Sequence, residues 1–574
     1  MRVYDTILKG GLVFDGTGAE PYTADIALSG GRIAEVGRIT APARRIIDAD
    51  GLMVTPGFVD IHTHYDGQAT WAERMSPSST HGVTSVLIGN CGVGFAPCRP
   101  EDRDELVRLM EGVEDIPGLV MTEGLKWDWQ SFPDYLEAIE RRPHDVDIAT
   151  QLPHSALRVF VMGERAIRRE TATPEDVAAM ATLARQAIEA GALGFSTSRS
   201  LLHRTKAGES VPSLGAEEAE LLGIAMGVKA GGGGVLELST DFAFTGGDLS
   251  AEMGLYRRLC EASGLPMSLA IAFMNERPEL CADLVRQVDD ANTAGVPIKL
   301  QTVGRSVGVL QGFDMSLHPF VKCPTYVAIA GLTPEARLQR LRDPAVRAAI
   351  IAEAKAPEHR TNLGLRVAEL YPLGDPPNYE PGRQDSVAAR AQASGQAPEA
   401  ELYDLMMRDG GAGILYLPLT NYAAGDFNDM PAMIRSPNTL LGLGDGGAHV
   451  GMICDASQPT FILSYWGRDR ANERLGLPLL VKALTSTNAR AVGLRDRGVI
   501  AAGYKADLNL IDFAKLRLRA PRSVYDLPAG GRRLTQDAEG YVGTIVSGEL
   551  TYEGGLATEA LPGKLVRGAQ SAPA

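Results

Sequence analysis

Two histidines separated by one residue end an apolar segment near the N-terminus. The segment GFVDIHTHYDGQ covers residues 57–68 and places His62 and His64 directly after a strand-like stretch. Side chains two positions apart on an extended strand point to the same side, so both imidazoles are expected to face one region. Neutral imidazole nitrogens are common ligands of Zn²⁺. The spacing predicts half of a metal site; the alternative is a chance HxH without a ligand role.

Two other apolar runs end in residues that suit the same ion. In TSVLIGNCGVG the run at 86–88 leads to Cys91, and in LLGLGDGGAHVG Asp445 follows an apolar run and precedes two glycines. A thiolate ligates zinc, and a carboxylate either ligates it or acts as a base. The alternatives are a small buried cysteine and a turn aspartate. His449 belongs either to the site or to the packing under the loop.

A basic loop follows the segment ALGFSTS. STSRSLLHRTKAGESVPS contains Arg199 and His203, and Arg305 lies in QTVGRSVG further along the chain. Arginine binds carboxylates through two parallel hydrogen bonds. We therefore predict that Arg199, His203, Arg305 and His449 contact the substrate. The alternative for the arginines is a solvated basic loop and a structural ion pair.

The elements that must position these residues alternate along the middle of the chain. The helical segment PEDVAAMATLARQAIEAG is followed by ALGFSTS, LLGIAMGVKAGGG by GVLELST, and ELCADLVRQVDDANTAG by VPIKLQTVG. Glycines between helix and strand are typical of helix C-termini. Helices alternating with parallel-type strands over several hundred residues predict a (β/α)₈ barrel, whose strands end at one common mouth.

The two ends of the chain have a different texture. YDTILKGGLVFDG, ADIALSGGRIAEVG, KADLNLIDF and VGTIVSGELTYEGG alternate apolar and polar residues, with glycines at the turns. We predict one small β-sandwich built from residues 1–55 and 496–560, beside a barrel over 56–495. A segment at about 316–437, with paired helices and a Pro-rich stretch, is predicted to be an insertion covering the pocket. Residues 561–574 are expected to form a frayed tail.

Composition excludes several classes of function. The 574 residues carry 71 acidic against 56 basic side chains, a net charge of −15, which argues against nucleic-acid or anionic-membrane partners. Six scattered cysteines without a CxxC pair indicate a reducing compartment. The N-terminal segment lacks a signal-peptide core, and no apolar run approaches the length of a membrane span. We expect a cytoplasmic protein.

Taken together, these motifs resemble the amidohydrolase superfamily, and within it the D-aminoacylase (N-acyl-D-amino-acid deacylase) branch. The similar segments are TPGFVDIHTHYDGQ, GVTSVLIGNCGVGFAP, GALGFSTS, the later GDGGAH and the C-terminal GYKADLNLIDF. The resemblance covers nearly the whole chain and implies a metal-dependent barrel beside a β-sandwich. It also implies that His62, His64 and Cys91 are metal ligands. Asp445 matches the catalytic aspartate and is taken as a ligand too.

The chain departs from that pattern where the branch has a histidine after strand five and another after strand six. Here these segments read GVLELSTDFAF and MSLAIAFMNERP, without histidine. His154, His203 and His318 are loop residues that could substitute, as could Asp241, whereas His81 is placed at the opposite barrel end. Because both histidines of the second position are missing, we predict one bound Zn²⁺ rather than two.

The predicted function is metal-dependent hydrolysis of a C–N amide bond, with Asp445 as general base. The expected substrate is a small, carboxylate-bearing amide, of the N-acyl amino acid class. One alternative is the opening of a cyclic amide or imide ring by the same water attack. Another is a non-catalytic scaffold, against which the retained His62, His64, Cys91 and Asp445 argue. The oligomeric state stays open, a homo-oligomer included.

Overall fold

A computed structural model of the chain describes residues 3–241, 248–271, 273, 275–361 and 366–573. The fold is mixed α/β. The last residues of GVLELSTDFAF and two positions of MSLAIAFMNERP lie outside the described residues.

The N-terminal region consists of strands, as its alternating pattern predicts. The strands are β1 (Tyr4–Val13), β2 (Tyr22–Ser29), β3 (Arg32–Gly37), β4 (Ala43–Asp48) and β5 (Met53–Pro56). β1 pairs with β2 in antiparallel register and with β4 and β5 in parallel register.

The middle of the chain supplies parallel strands and a separate antiparallel group. They are β6 (Phe58–Asp60), β7 (Val83–Ile88), β8 (Asp147–Thr150), β9 (Leu152–Pro153), β10 (Gly194–Ser198), β11 (Val235–Ser239), β12 (Met267–Ala270), β13 (Ile298–Thr302), β14 (Gly308–Gln311), β15 (Tyr371–Pro372), β16 (Leu415–Pro418) and β17 (Thr439–Leu441). In the described residues β6-β7-β8 form one parallel sheet, and β9-β10-β11-β12-β13-β17 form another. A parallel bridge between Thr63 and Gly446 joins the segments that follow β6 and β17.

Helices connect the parallel strands at the predicted places. The helices of eight residues or more in the described chain are Arg103–Val113, Phe132–Glu140, His154–Met162, Pro174–Ala190, Glu218–Ala230, Leu249–Ser263, Pro278–Thr293, Pro334–Leu341, Pro344–Glu353, Val387–Ser394, Pro398–Met406 and the π-helical Ile462–Asp469. Pro174–Ala190 begins at a capping box, in which Thr173 and Asp176 exchange side-chain to backbone hydrogen bonds. It ends at Gly191, as the sequence predicts.

The segment between β13 and β17 packs around apolar side chains of its own. β14, β16 and β15 pair antiparallel there. Phe313, Phe320, Ile350 and Tyr403 belong to one buried cluster of this segment, separate from the main core. The antiparallel part begins at Gly308, eight residues before the predicted start of the insertion at 316.

The C-terminal strands join those of the N-terminus. They are β18 (Leu508–Ile511), β19 (Arg517–Leu518), β20 (Arg522–Leu527), β21 (Gly531–Thr535), β22 (Ala538–Glu539), β23 (Tyr541–Val546), β24 (Glu549–Glu553) and β25 (Leu556–Ala557). β18 lies antiparallel between β5 and β23, with Leu510 opposite Val54. In the described chain, β1–β5, β18 and β23–β25 therefore share one nine-stranded sheet.

The last residues are not frayed, and this expectation was wrong. The Val566 amide donates to the Ile148 carbonyl at 2.8 Å, and the Gln570 amide donates to the Gly493 carbonyl at 2.9 Å. Leu565 is buried against the core. The polar composition of the tail concealed two apolar side chains that pack beside β8. Within the described chain, no helix has the combined length and apolarity needed to cross a membrane.

Candidate metal centre and active site

The strand ends bring His62, His64 and Cys91 together. One ligand atom from each lies within 4.8 Å of the other two, and all three residues are buried. His62 Nε2 lies 3.2 Å from Cys91 Sγ. The two histidines follow β6 and the cysteine follows β7, which is β6's parallel neighbour. This donor set of two imidazoles and one thiol matches the ligands that zinc takes in proteins.

Asp445 lies across from the two imidazoles. Its Oδ1 is 3.5 Å from His62 Nε2 and 3.7 Å from His64 Nε2. Backbone hydrogen bonds fix this approach, because the Asp445 amide donates to the His62 carbonyl at 3.0 Å and the His64 amide donates to the Gly446 carbonyl at 2.7 Å. Gly447 has φ +90°, and a Cβ there would lie 2.8 Å from the His64 carbonyl carbon. The glycines after Asp445 therefore permit the close approach of the two strand ends.

Three residues of the site have left-handed backbone conformations. The φ angles are 56° at Cys91, 48° at Asp445 and 47° at His449. For a residue with a Cβ this conformation costs about 1 kcal/mol or more. Such strain is often concentrated at functional sites. Here it turns the side chains that follow β7 and β17 toward the two histidines.

Gln301 holds the rear nitrogen of His62. His62 Nδ1 lies 2.8 Å from Gln301 Oε1, while Gln301 Nε2 donates to Ser268 Oγ at 2.8 Å. Because the amide nitrogen is engaged with Ser268, Oε1 faces the imidazole and accepts from Nδ1–H. The lone pair of Nε2 is then free for a metal. Sequence reasoning missed Gln301; a polar residue inside the apolar strand IKLQT is the signal that could have found it.

Cys91 is held by residues of β11. Its Sγ lies 2.9 Å from Ser239 Oγ, and its amide donates to Glu237 Oε2 at 2.9 Å. Glu237 Oε1 also lies 3.8 Å from His62 Nδ1. Sequence reasoning missed Glu237, which is a charged residue within the buried strand VLELS. The resembled branch has a histidine after its fifth strand, which is β11 here. This strand thus contributes a hydroxyl and a carboxylate to the surroundings of Cys91 instead.

Glu114 is a second missed carboxylate. It follows the helix Arg103–Val113, and its side chain is buried. Glu114 Oε1 lies 3.3 Å from His64 Nδ1, and Oε2 lies 3.8 Å from His449 Nε2. It follows a helix rather than a strand, so the strand-end reasoning that found the other site residues could not identify it.

Burial shapes the electrostatics of the site. Burial raises the pKa of Asp445 to about 7 and that of Glu237 to about 8. It also raises the pKa of the Cys91 thiol well above its usual value, with Glu237 and Glu114 adding to the effect. Burial lowers the pKa of His62 to about 4. Among the described residues no lysine or arginine forms an ion pair with Asp445, Glu237 or Glu114, and a bound divalent cation would compensate these carboxylates.

The residues that are predicted to contact the substrate differ in their hydrogen-bond partners. Arg199 donates to both oxygens of Glu252, at 2.8 and 2.7 Å, and to the Ala216 carbonyl. His203 Nδ1 lies 2.7 Å from Ser198 Oγ. Burial, followed by the nearby His449, lowers the pKa of His203 to about 3. His203 is thus electrostatically coupled to His449 and His62, whereas Arg199 is engaged in an ion pair.

Arg305 is buried behind the site. Its Nη2 donates to Asp455 Oδ1 at 2.9 Å and to the Cys454 carbonyl at 3.0 Å. The guanidinium carbon lies 3.8 Å from the centre of the Tyr379 ring. This is the ion pair and cation–π arrangement of a structural arginine. Its contact with a substrate stays a prediction.

The other candidate metal ligands have partners elsewhere. Asp241 Oδ2 accepts from Ser200 and from the Leu202 amide. His154 lies between Thr197 and Glu220, at 2.8 and 2.9 Å. His318 and His81 are likewise engaged: His318 packs edge-to-face against Tyr326, and His81 contacts Thr460 and Gln536. None of these side chains belongs to the described group of His62, His64 and Cys91.

Comparison with known proteins identifies several whose sequences are similar to part of this chain. The chain is 36% identical over 195 residues to D-aminoacylase of Alcaligenes xylosoxydans xylosoxydans, covering 34% of this chain and 37% of the relative. It is 33% identical over 226 residues to N-acyl-D-glutamate deacylase of the same organism, covering 38% and 41%. The matches thus span about a third to two fifths of these relatives.

Solved structures match over almost the full length. A D-aminoacylase crystal structure superposes with a TM-score of 0.64 at 23% identity, covering 98% of this chain and 100% of that one. N-acyl-D-glutamate deacylase from Bordetella bronchiseptica, with zinc and a phosphonate inhibitor, gives 0.63 at 21% identity, covering 99% and 100%. The model of the amidohydrolase family matches residues 45–552. The chain therefore belongs to the amidohydrolase family.

Proposed function

We propose that the protein is a metal-dependent hydrolase that cleaves the amide C–N bond of N-acyl amino acids. The observation that carries this proposal is the buried convergence of His62, His64 and Cys91 opposite Asp445. Family membership and the names of the relatives, which are a D-aminoacylase and N-acyl-D-amino-acid deacylases, support it. The preference for D- over L-substrates follows the relatives and stays part of the proposal.

The proposed architecture is a closed (β/α)₈ barrel beside a terminal β-sandwich. The parallel pairings of the two sheets and the bridge between Thr63 and Gly446 support closure. The nine-stranded sheet supports the shared terminal domain. The proposed domain limits are 1–55 and 496–560 for the β-sandwich and 56–495, with its insertion, for the barrel. The tail is assigned to the barrel, because it pairs with residues near β8.

The proposed cofactor is one Zn²⁺ held by His62, His64 and Cys91, with Asp445 as a further ligand. The donor types fit zinc, and the Nδ1 contact of His62 leaves its Nε2 available. A second zinc lacks imidazoles, because β11 supplies Glu237 and Ser239 in the region where the resembled branch has a histidine after its fifth strand. One matched D-aminoacylase structure concerns one-metal activation and second-metal attenuation of a binuclear centre, which is compatible with catalysis at a single ion.

The side chains around this site divide the chemical work. A bound zinc ion supplies Lewis acidity, which acidifies water and polarises a carbonyl oxygen. Asp445 retains 15% of its side-chain surface exposed and takes the proton of the attacking water. It then passes that proton to the leaving amine. In the metal-free chain burial raises the pKa of this carboxyl group to about 7. A bound Zn²⁺ beside it would lower that pKa and favour the carboxylate form, which is the form that acts as a base.

Recognition of a carboxylate-bearing amide is assigned to His203, His449, Arg199 and Arg305. His203 and His449 are electrostatically coupled to the metal-site histidines, because both lower the pKa of His64. Arg199 contacts a substrate carboxylate only if that group replaces Glu252, which now takes two of its hydrogen bonds. The expected partner is a small molecule, and location in the cytoplasm and oligomeric state remain predictions.

One experiment separates this proposal from its alternatives. Zinc-loaded protein is incubated with matched N-acyl-D- and N-acyl-L-amino acids and with cyclic amides and imides, and released amine or acid is measured. We expect turnover of the acyclic N-acyl substrates. Turnover of cyclic amides alone would favour ring opening. Protein that binds no zinc and hydrolyses nothing would favour the scaffold and refute the proposal.

A further inference from the structure

A buried glutamate lies between a metal-site histidine and a partly exposed one. Glu114 Oε1 is 3.3 Å from His64 Nδ1, and its other oxygen, Oε2, is 3.8 Å from His449 Nε2. The glutamate side chain is 2% exposed and that of His449 is 29% exposed. His64 presents its opposite nitrogen, Nε2, to Asp445. One carboxylate therefore faces both histidines from behind the metal site.

Backbone contacts hold the glutamate in this place. The His449 amide donates to the Glu114 carbonyl, and the Gly451 amide donates to Asp115 Oδ2 at 3.3 Å. Through these two hydrogen bonds, residues 114 and 115 hold the segment that follows β17 in place. Among the described residues, Glu114 has no lysine or arginine within ion-pair distance. The side chains near it are His64 and His449, and burial lowers the pKa of both. Burying a carboxylate without a nearby lysine or arginine costs free energy. We therefore expect Glu114 to have a functional role.

We propose that Glu114 is a positioning residue that orients His64 for metal binding and His449 for the substrate. The proposal rests on the function proposed above. Oε1 takes the Nδ1–H of His64, which selects the tautomer whose Nε2 lone pair is directed at the metal site. Carboxylates behind metal-bound histidines fix the ring and increase its basicity. Gln301 does the same for His62. His64 Nδ1 has no hydrogen-bond partner among the described residues, and Glu114 Oε1, 3.3 Å away, is the carboxylate oxygen that faces it.

The second oxygen extends the effect to His449. Each carboxylate oxygen faces one ring, Oε1 at 3.3 Å from His64 Nδ1 and Oε2 at 3.8 Å from His449 Nε2. The longer distance is an electrostatic contact rather than a hydrogen bond. A glutamine has one acceptor oxygen, and its amide group would oppose the N–H of the other histidine. Glu114→Gln therefore preserves shape but serves one ring only, whereas Glu114→Ala serves neither.

The test measures zinc affinity by chelator competition in wild type, Glu114→Ala and Glu114→Gln. We expect Glu114→Ala to bind zinc about 10- to 100-fold more weakly, the usual cost of losing such a partner, with Glu114→Gln in between. Cobalt-substituted protein gives a second readout, because its visible absorption bands report ligand geometry and should shift in both variants. For the best N-acyl substrate, KM should rise in Glu114→Gln through the misplaced His449.

Glu105→Gln is the matched control. Glu105 is also buried, lies on the preceding helix Arg103–Val113 and pairs with the exposed Arg108, away from the histidines. Its zinc affinity and cobalt spectrum should equal those of wild type. If Glu114→Ala does not fold, as judged by its circular dichroism melt, Glu114→Gln decides.

Folded Glu114 variants with wild-type zinc affinity and an unchanged cobalt spectrum would overturn the proposal. A loss of affinity shared equally by Glu105→Gln would overturn it too, since it would show a general effect of removing a buried charge. Wild-type protein that binds zinc without hydrolysing any amide would refute the proposed function instead. The Glu114 proposal would then be decided separately, by the zinc affinities of the Glu114 variants.

Discussion

Replacing Asp445 with asparagine should separate metal binding from catalysis. The substitution keeps the side-chain shape, and the backbone amide can still donate to the His62 carbonyl. An amide oxygen remains near the Nε2 atoms of His62 and His64, which Asp445 Oδ1 approaches to 3.5 and 3.7 Å. An amide cannot take a proton near neutral pH, however. We expect Asp445→Asn to retain one zinc per chain and to lose most hydrolytic activity.

The expected loss of rate follows from the role of the carboxylate. Proton transfer by a positioned base contributes about 10²- to 10⁴-fold to kcat. At about 1.36 kcal/mol per factor of ten, this corresponds to about 3 to 5 kcal/mol of activation free energy. KM should change little, because the proton acceptor acts in the transition state rather than in binding.

In metal-free protein, the same substitution should make the free energy of unfolding less dependent on pH. Burial raises the pKa of Asp445 from 3.8 to about 7, and this difference corresponds to at most about 4 kcal/mol of unfolding free energy. Because the folded-state pKa is the raised one, the contribution is full below about pH 4 and is lost as pH rises through 7. Metal-free wild type should therefore lose more stability than metal-free Asp445→Asn between pH 5 and 8.

Three measurements check this reasoning. Elemental analysis gives the zinc content, steady-state kinetics with the best N-acyl substrate give kcat and KM, and urea unfolding of chelator-treated protein at pH 5 and pH 8 gives the stability difference. Full activity of Asp445→Asn would remove the aspartate from the mechanism. Loss of zinc together with activity would show that it acts mainly as a ligand. Equal pH dependence of the two metal-free proteins would refute the electrostatic argument.

The remaining predictions concern ligands, substrate and stability. The double substitution of His62 and His64 by alanine should abolish zinc binding and hydrolysis, whereas two equivalents of zinc in wild type by elemental analysis would contradict the single site. Arg199→Ala should raise KM for an acidic N-acyl substrate about thirtyfold, equivalent to about 2 kcal/mol for a lost charge-assisted contact; an unchanged KM would leave Arg199 as a purely structural ion pair. Asp147→Asn should lower the unfolding free energy by about 3 kcal/mol, because Arg497 Nη1 and Lys505 Nζ both lose a buried carboxylate, at 2.7 and 2.8 Å. Urea unfolding measures this loss, and a change below 1 kcal/mol would show that water or another carboxylate compensates.

Sequence patterns were sufficient for the elements and for the residues at strand ends. Alternation at both ends predicted strands, and β18 does pair with β5 in one shared sheet. Apolar runs ending at His62, Cys91 and Asp445 placed these residues at the ends of parallel strands, where side chains of neighbouring strands meet. Such features are local, since strand period and breaking residues are written in a few consecutive positions.

The tertiary structure decided which buried polar groups face the site. Glu237 and Gln301 lie inside apolar strands, and nothing local in the sequence shows which face of the sheet each side chain occupies. Glu114 follows a helix and meets His64 and His449 only because the chain folds residues fifty and more than three hundred positions away against it. Arg199 looked available in the sequence, yet Glu252 of the helix Leu249–Ser263 takes its hydrogen bonds. Burial makes unpaired polar groups costly, so their partners are chosen by three-dimensional proximity rather than by sequence spacing.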